Sequence, residues 1–147
     1  MKLTDKTLAL LVEGDPAEVE VLHFVRSPPI SQLGHSSLHR CRRLVSLSLA
    51  RLGLRTIDGD ALAACATLWW IDLSRNRLET LAGSGLDAFA ALGLLDVSGN
   101  AVAIDAIASI GEVEVVRLHL AGNPGAADRA AESSREAHED DLVPRVA

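Results

Sequence analysis

Residues 68–78 read L-W-W-I-D-L-S-R-N-R-L and hold both tryptophans of the chain. Ile71 and Leu73 alternate with polar neighbours, which is the period-2 mark of a short strand with one face buried. Trp70, Asp72 and Ser74 then fall on the opposite face. Asn76 closes the pattern. Its side chain carries both a donor and an acceptor, so in a tight turn it can satisfy backbone groups that would otherwise be buried unpaired.

The pattern recurs. Residues 44–54 read L-V-S-L-S-L-A-R-L-G-L, residues 92–102 read L-G-L-L-D-V-S-G-N-A-V, and residues 115–124 read V-V-R-L-H-L-A-G-N-P. Leu52, Asn76, Asn100 and Asn123 stand at the same place, at intervals of 24, 24 and 23 residues. A fixed period of this length is the mark of a repeat array, in which each unit buries its apolar face only by stacking on its neighbours. The four segments resemble the leucine-rich repeat, L-x-x-L-x-L-x-x-N-x-L, over at least residues 33–124. The resemblance implies an α/β fold: a right-handed solenoid with a parallel inner sheet and short helices on its outer face.

The connecting segments share the period. Ser36, Asp60 and Ser84 are N-cap residue types at equal spacing, each followed by about two turns of helix-compatible sequence. After them come Leu38, Cys41 and Leu44, then Leu62, Cys65 and Leu68, then Leu86, Phe89 and Leu92, spaced so that one helical face turns inward. Cys41 and Cys65 are thereby one position in successive repeats, and we expect buried small hydrophobes rather than a disulfide or a metal pair.

A single domain spanning residues 1–147 is expected, because the length suits one hydrophobic core. Residues 1–33 would form a helical cap and a degenerate first repeat. Thr4 is the expected N-cap, Leu8, Leu11 and Val12 the inner face, and Gly14 the stop. Ile30 and Leu33 lie 24 residues before Leu54 and Ile57. Residues 34–124 would carry four repeats, and residues 125–147 an acidic C-terminal helix or tail. The helix-then-strand opening is similar to that of intracellular leucine-rich repeat proteins of the phosphatase-regulator type, which include axonemal and spliceosomal scaffolds. That type often closes with a C-terminal cap motif that does not occur here, so the chain could be a piece of a longer array.

The residues between the buried ones define the candidate site. Strands lie about 4.8 Å apart in a sheet, so equivalent positions form columns: Ser46, Trp70, Leu94 and Arg117 in one, Ser48, Asp72, Asp96 and His119 in the next. Arg51, Arg75 and Arg77 flank them near the turns. Tryptophan beside leucine, ringed by aspartate and arginine, is the composition of an interface anchor with a polar rim. We therefore expect a protein partner on Trp70, Asp72, Ser74, Arg75, Leu94, Asp96, Arg117 and His119. The alternative, Trp70 packing over Leu94 and Arg117 within its own sheet, stays open. Trp69, one place earlier, is expected to cover the edge of the core.

Asp96, Ser98 and His119 supply the residue types of a hydrolytic triad. A smooth sheet, however, offers neither a nucleophile elbow nor an oxyanion hole, so a non-catalytic role is expected. Asp96 and His119 would titrate as a pair, making partner affinity differ between about pH 5.5 and 7.5. His23, His35, His39 and His138 share no metal-ligand spacing with cysteines or carboxylates, and neither metal nor cofactor is expected. A net charge of −6 disfavours direct binding to phosphate backbones, and no early apolar run reaches membrane-spanning length. The expectation is an intracellular, cytoplasmic scaffold or adaptor, monomeric when unbound. The resemblance suggests ciliary or axonemal assembly, or alternatively a spliceosomal particle in the nucleus.

Overall fold

The computed structural model describes residues 2–24, 28–34, 37–103 and 113–124. Five parallel strands form the larger sheet: β2 (Val21–His23), β4 (Ser46–Ser48), β6 (Trp70–Asp72), β7 (Ala91–Asp96) and β8 (Glu114–His119), in that spatial order. A smaller parallel sheet pairs β1 (Lys2–Leu3), β3 (Gln32–Leu33) and β5 (Thr56–Ile57). Successive strands of the larger sheet are one repeat apart in sequence. The chain therefore coils as a solenoid of about four turns.

The core lies inside the coil and is almost wholly aliphatic. Leu47, Leu49, Ile71, Leu73, Leu95 and Val97 reach it from the larger sheet, and Ile30, Leu33, Leu54, Leu78 and Val102 from the returning segments. Ile30 and Leu33 are fully buried, and Leu33 pairs with Ile57 across β3 and β5. The degenerate first turn is thus in register with the second, as the 24-residue offset predicts.

The asparagines form a ladder between turns. Asn76 accepts from the Leu52 and Leu54 amides, both at 3.0 Å, and its Nδ2 donates to the Leu49 and Leu73 carbonyls at 2.8 and 2.9 Å. Asn100 accepts from the Leu78 amide at 3.0 Å and donates to Leu73 and Val97. Asn123 accepts from the Val102 amide at 2.9 Å and donates to Val97 and Leu120. All three are buried. Each amide bridges its own turn to the one before it, which is why a buried polar residue recurs in an otherwise aliphatic core.

The return segments differ from expectation. Where α-helices are predicted, the second and third repeats make 3-10 turns at Ala61–Ala64 and Leu86–Ala88. The reason is in the spacing: Leu62, Cys65 and Leu68 are three apart, which keeps them in line at 3.0 residues per turn but rotates them off line at 3.6. Asp60 does not cap. It has φ 55° and makes no side-chain cap bond, and Gly85, at φ 91°, occupies the N-cap of the third turn. Ser84, one place before it, donates to the Leu81 carbonyl and accepts from the Leu86 amide at 3.4 Å. Ser36 lies outside the described residues.

The N-terminal helix α1 (Asp5–Leu11) forms as expected, with Thr4 and Thr7 closing a reciprocal capping box. Leu8 is fully buried, whereas Leu11 is 39% exposed, so the apolar face is narrower than predicted. The helix ends at Leu11, before Gly14. The expected acidic C-terminal segment, residues 125–147, lies outside the described residues.

Candidate functional site

Register places the candidate residues as the columns require. Ser46 pairs with Trp70, Trp70 with Leu94 and Leu94 with Arg117, while Ser48 pairs with Asp72, Asp72 with Asp96 and Asp96 with His119. Backbone bonds carry the alignment past the strand ends, from Leu49 to Asp72, Leu73 to Asp96 and Val97 to His119. Trp70, Asp72, Ser74, Asp96, Arg117 and His119 are half-buried, and Arg75 is exposed.

Two members contribute little surface. Ser46 is fully buried and Leu94 is 4% exposed. Leu94 lies outside the core cluster and stands between Trp70 and Arg117 in the strand register.

Trp70 has a neighbour that the repeat pattern did not disclose. The His23 ring lies 5.5 Å from the indole, tilted by 38°, and His23 Nε2 is 3.0 Å from Ser46 Oγ. His23 reaches this place because β2 pairs with β4. Trp70 Nε1 is buried without a hydrogen-bond partner, an arrangement that costs free energy in the unbound molecule. The loose alternation of residues 18–25 marks a strand around His23, but nothing in the sequence signals its contact with Trp70.

Trp69 does not cover the core edge. The residue is 46% exposed, and its indole lies against Gly93 of the next strand, where an added Cβ would clash with Nε1 and its ring neighbours. The cause is steric: Gly93, with no side chain, leaves an open step in the sheet, and the ring settles on it.

Asp96 organises the polar end. Its Oδ1 accepts from the Ser98 amide at 2.9 Å and from Ser98 Oγ at 2.6 Å, and Oδ2 stands 3.6 Å from His119 Nδ1. Burial alone would raise the carboxyl pKa, but the hydrogen bonds from His119 and Ser98 outweigh it and hold the group below the usual carboxylate range. Asp72 makes the same turn bond, to the Ser74 amide at 2.9 Å. A hydrolytic triad needs the imidazole between hydroxyl and carboxylate. Here the carboxylate stands in the middle, and the Ser98 hydroxyl hydrogen is already committed to it.

Among the described residues no group of three or more His, Cys, Asp or Glu side chains converges as a metal site. Cys41 and Cys65 are buried and form no disulfide, and Cys65 is pushed up to about 12 by burial and by the neighbouring Cys41. No helix among the described residues is long and apolar enough to cross a membrane. The family model described as Leucine rich repeat matches residues 20–102. No curated protein matches the chain.

Proposed function

Because the chain belongs to the leucine-rich repeat family, whose domains generally mediate protein–protein interaction, we propose that it is a non-catalytic scaffold or adaptor. In this reading it holds a protein partner on the exposed face of its larger sheet. One observation carries the reading: Trp70 stands half-buried at the centre of aligned columns, its indole N–H unpaired, with Asp72, Asp96, Arg117 and His119 as a polar rim. A partner carbonyl reaching that N–H on a small rearrangement would remove the unpaired donor while burying the ring, as interface anchors do.

The finer assignment is an intracellular protein of the phosphatase-regulator type, acting in ciliary or axonemal assembly and monomeric when unbound. The capped helix α1 followed by β2 supports the subgroup, and the two reduced, buried thiols suit a reducing compartment. A spliceosomal role would need a partner that supplies the basic charge this chain lacks, and small nuclear RNA copurifying with the protein would favour it.

The test is affinity capture from cell lysate with wild-type protein and a Trp70→Ala, Asp72→Ala double variant of verified fold. Proteins retained by the first and lost from the second place binding on the strand face. Identical captures overturn the reading.

A further inference from the structure

A second surface lies where three successive turns return toward the smaller sheet, and Arg77, expected to flank the strand face, lines it. Arg55, Arg77, Thr56, Gln32, Pro29 and Gly53 line a cleft of about 560 Å³. Its frame is held by backbone bonds: the Arg55 amide donates to the Ser31 carbonyl at 2.8 Å, the Arg77 amide to Leu54 at 2.8 Å, and Gln32 pairs with Thr56. The cleft is therefore built from ordered segments of consecutive turns.

Its chemistry is unspent. In a chain of net charge −6, neither Arg55 nor Arg77 forms an ion pair or hydrogen bond through its side chain among the described residues. The hydroxyl of Thr56 is buried and has no hydrogen-bond partner. Two guanidinium groups and a spare hydroxyl donor on one cleft have a common complement: an oxyanion, which guanidinium groups recognise through paired N–H donors. Acids close in sequence, Asp58 and Glu79, are not paired with either arginine. The volume falls in the range of ligand clefts, roughly 300–1,000 Å³. That leaves room for the group that carries the anion, and Pro29 and Gly53 offer walls against which an extended chain can lie.

We propose that this cleft binds an oxyanion group, a carboxylate or a phosphoryl, presented by a peptide segment of a protein partner. Arg55 and Arg77 hold the anion from two turns, and Thr56, whose hydroxyl is buried in the unbound protein, turns toward the cleft to donate a third hydrogen bond. The proposal is independent of the strand-face reading, and the variants below separate the two.

The experiment is fluorescence anisotropy with the full chain and four labelled probes: a glutamate-containing peptide, its phosphoserine counterpart, a glutamine-matched peptide and a short single-stranded oligonucleotide. Saturable binding of the glutamate or the phosphoserine peptide is expected, and whichever is tighter identifies the source of the oxyanion. Affinity should fall at least about tenfold in an Arg55→Gln, Arg77→Gln variant, weaken with added salt, and stay unchanged in Trp70→Ala. Arg77→Lys keeps the charge but not the fork and should bind more weakly than wild type. Thr56→Val should weaken binding without lowering the melting temperature, since it removes an unpaired buried hydroxyl. Four results overturn the proposal: no binding of either acidic peptide, equal binding of the glutamine peptide, tighter binding of the oligonucleotide, or wild-type affinity in the double arginine variant.

Discussion

Asn76 shows how one side chain holds two turns of backbone together, because it closes hydrogen bonds that no neighbouring strand supplies. Replacing it with Ala leaves the Leu52 and Leu54 amides and the Leu49 carbonyl buried without a partner, while the Leu73 carbonyl keeps its bond from Asn100. At roughly 1–3 kcal/mol for each unsatisfied group, tempered by relaxation, we expect Asn76→Ala to lose at least about 3 kcal/mol in urea unfolding. A loss under 1 kcal/mol would mean that water replaces the amide. Asp96 acts at the same scale through charge. Its folded pKa is lowered, so its contribution is fully present above the unfolded value of about 3.9 and disappears as pH falls through the folded value. Asp96→Asn should therefore cost about 1–2 kcal/mol at pH 7 and flatten the fall of stability with acid below about pH 4. Parallel wild-type and variant curves across that window would dismiss the effect. Asn76 is legible in the sequence because its type and period coincide, whereas the contact of His23 with Trp70 is not, since it depends on which side chains the pairing of β2 with β4 brings together.

Between elements, the overlay of Trp69 on Gly93 couples β6 to β7 through side-chain space rather than hydrogen bonds. Gly93→Ala places a methyl within the indole and should destabilise by about 1–3 kcal/mol. In a Trp69→Ala background the same change should be neutral or mildly stabilising, because alanine outperforms glycine within a strand. Equal costs in both backgrounds, measured by a double-mutant cycle, would show that the ring is a bystander. Strand positions were readable from alternation alone, and the pairings Ser48 to Asp72 to Asp96 to His119 came out in the predicted register. The return segments were not. Leu62, Cys65 and Leu68 line up best at three residues per turn, yet residues three apart also share an α-helical face, so the choice was not read from the sequence.

Across the whole molecule, stability comes from stacking, since each turn buries its leucines against the next and none can do so alone. The interior should therefore open in cooperative units rather than residue by residue. Cys41 and Cys65 report this directly: both are fully buried, and the Cys65 thiol is pushed up to about 12, so little thiolate exists at pH 8. Thiol reagents should leave both untouched in native protein and label them at a rate that follows unfolding across a denaturant series. Rapid labelling of Cys65 in buffer would show that the second turn frays on its own.

The repeat period, the strand face and the asparagine rungs were determined by the sequence alone. Each is a local pattern that stacking merely copies from turn to turn, and 24-residue spacing converts directly into neighbouring strands. Tertiary structure decided what no single repeat contains: the burial of Leu94, the seat of Trp69 on Gly93, the approach of His23 to Trp70, and the Arg55–Arg77 cleft. The last three join residues from different turns whose side chains differ in size or charge from their counterparts. Their contacts depend on the distances between turns, and those distances exist only once the coil has closed.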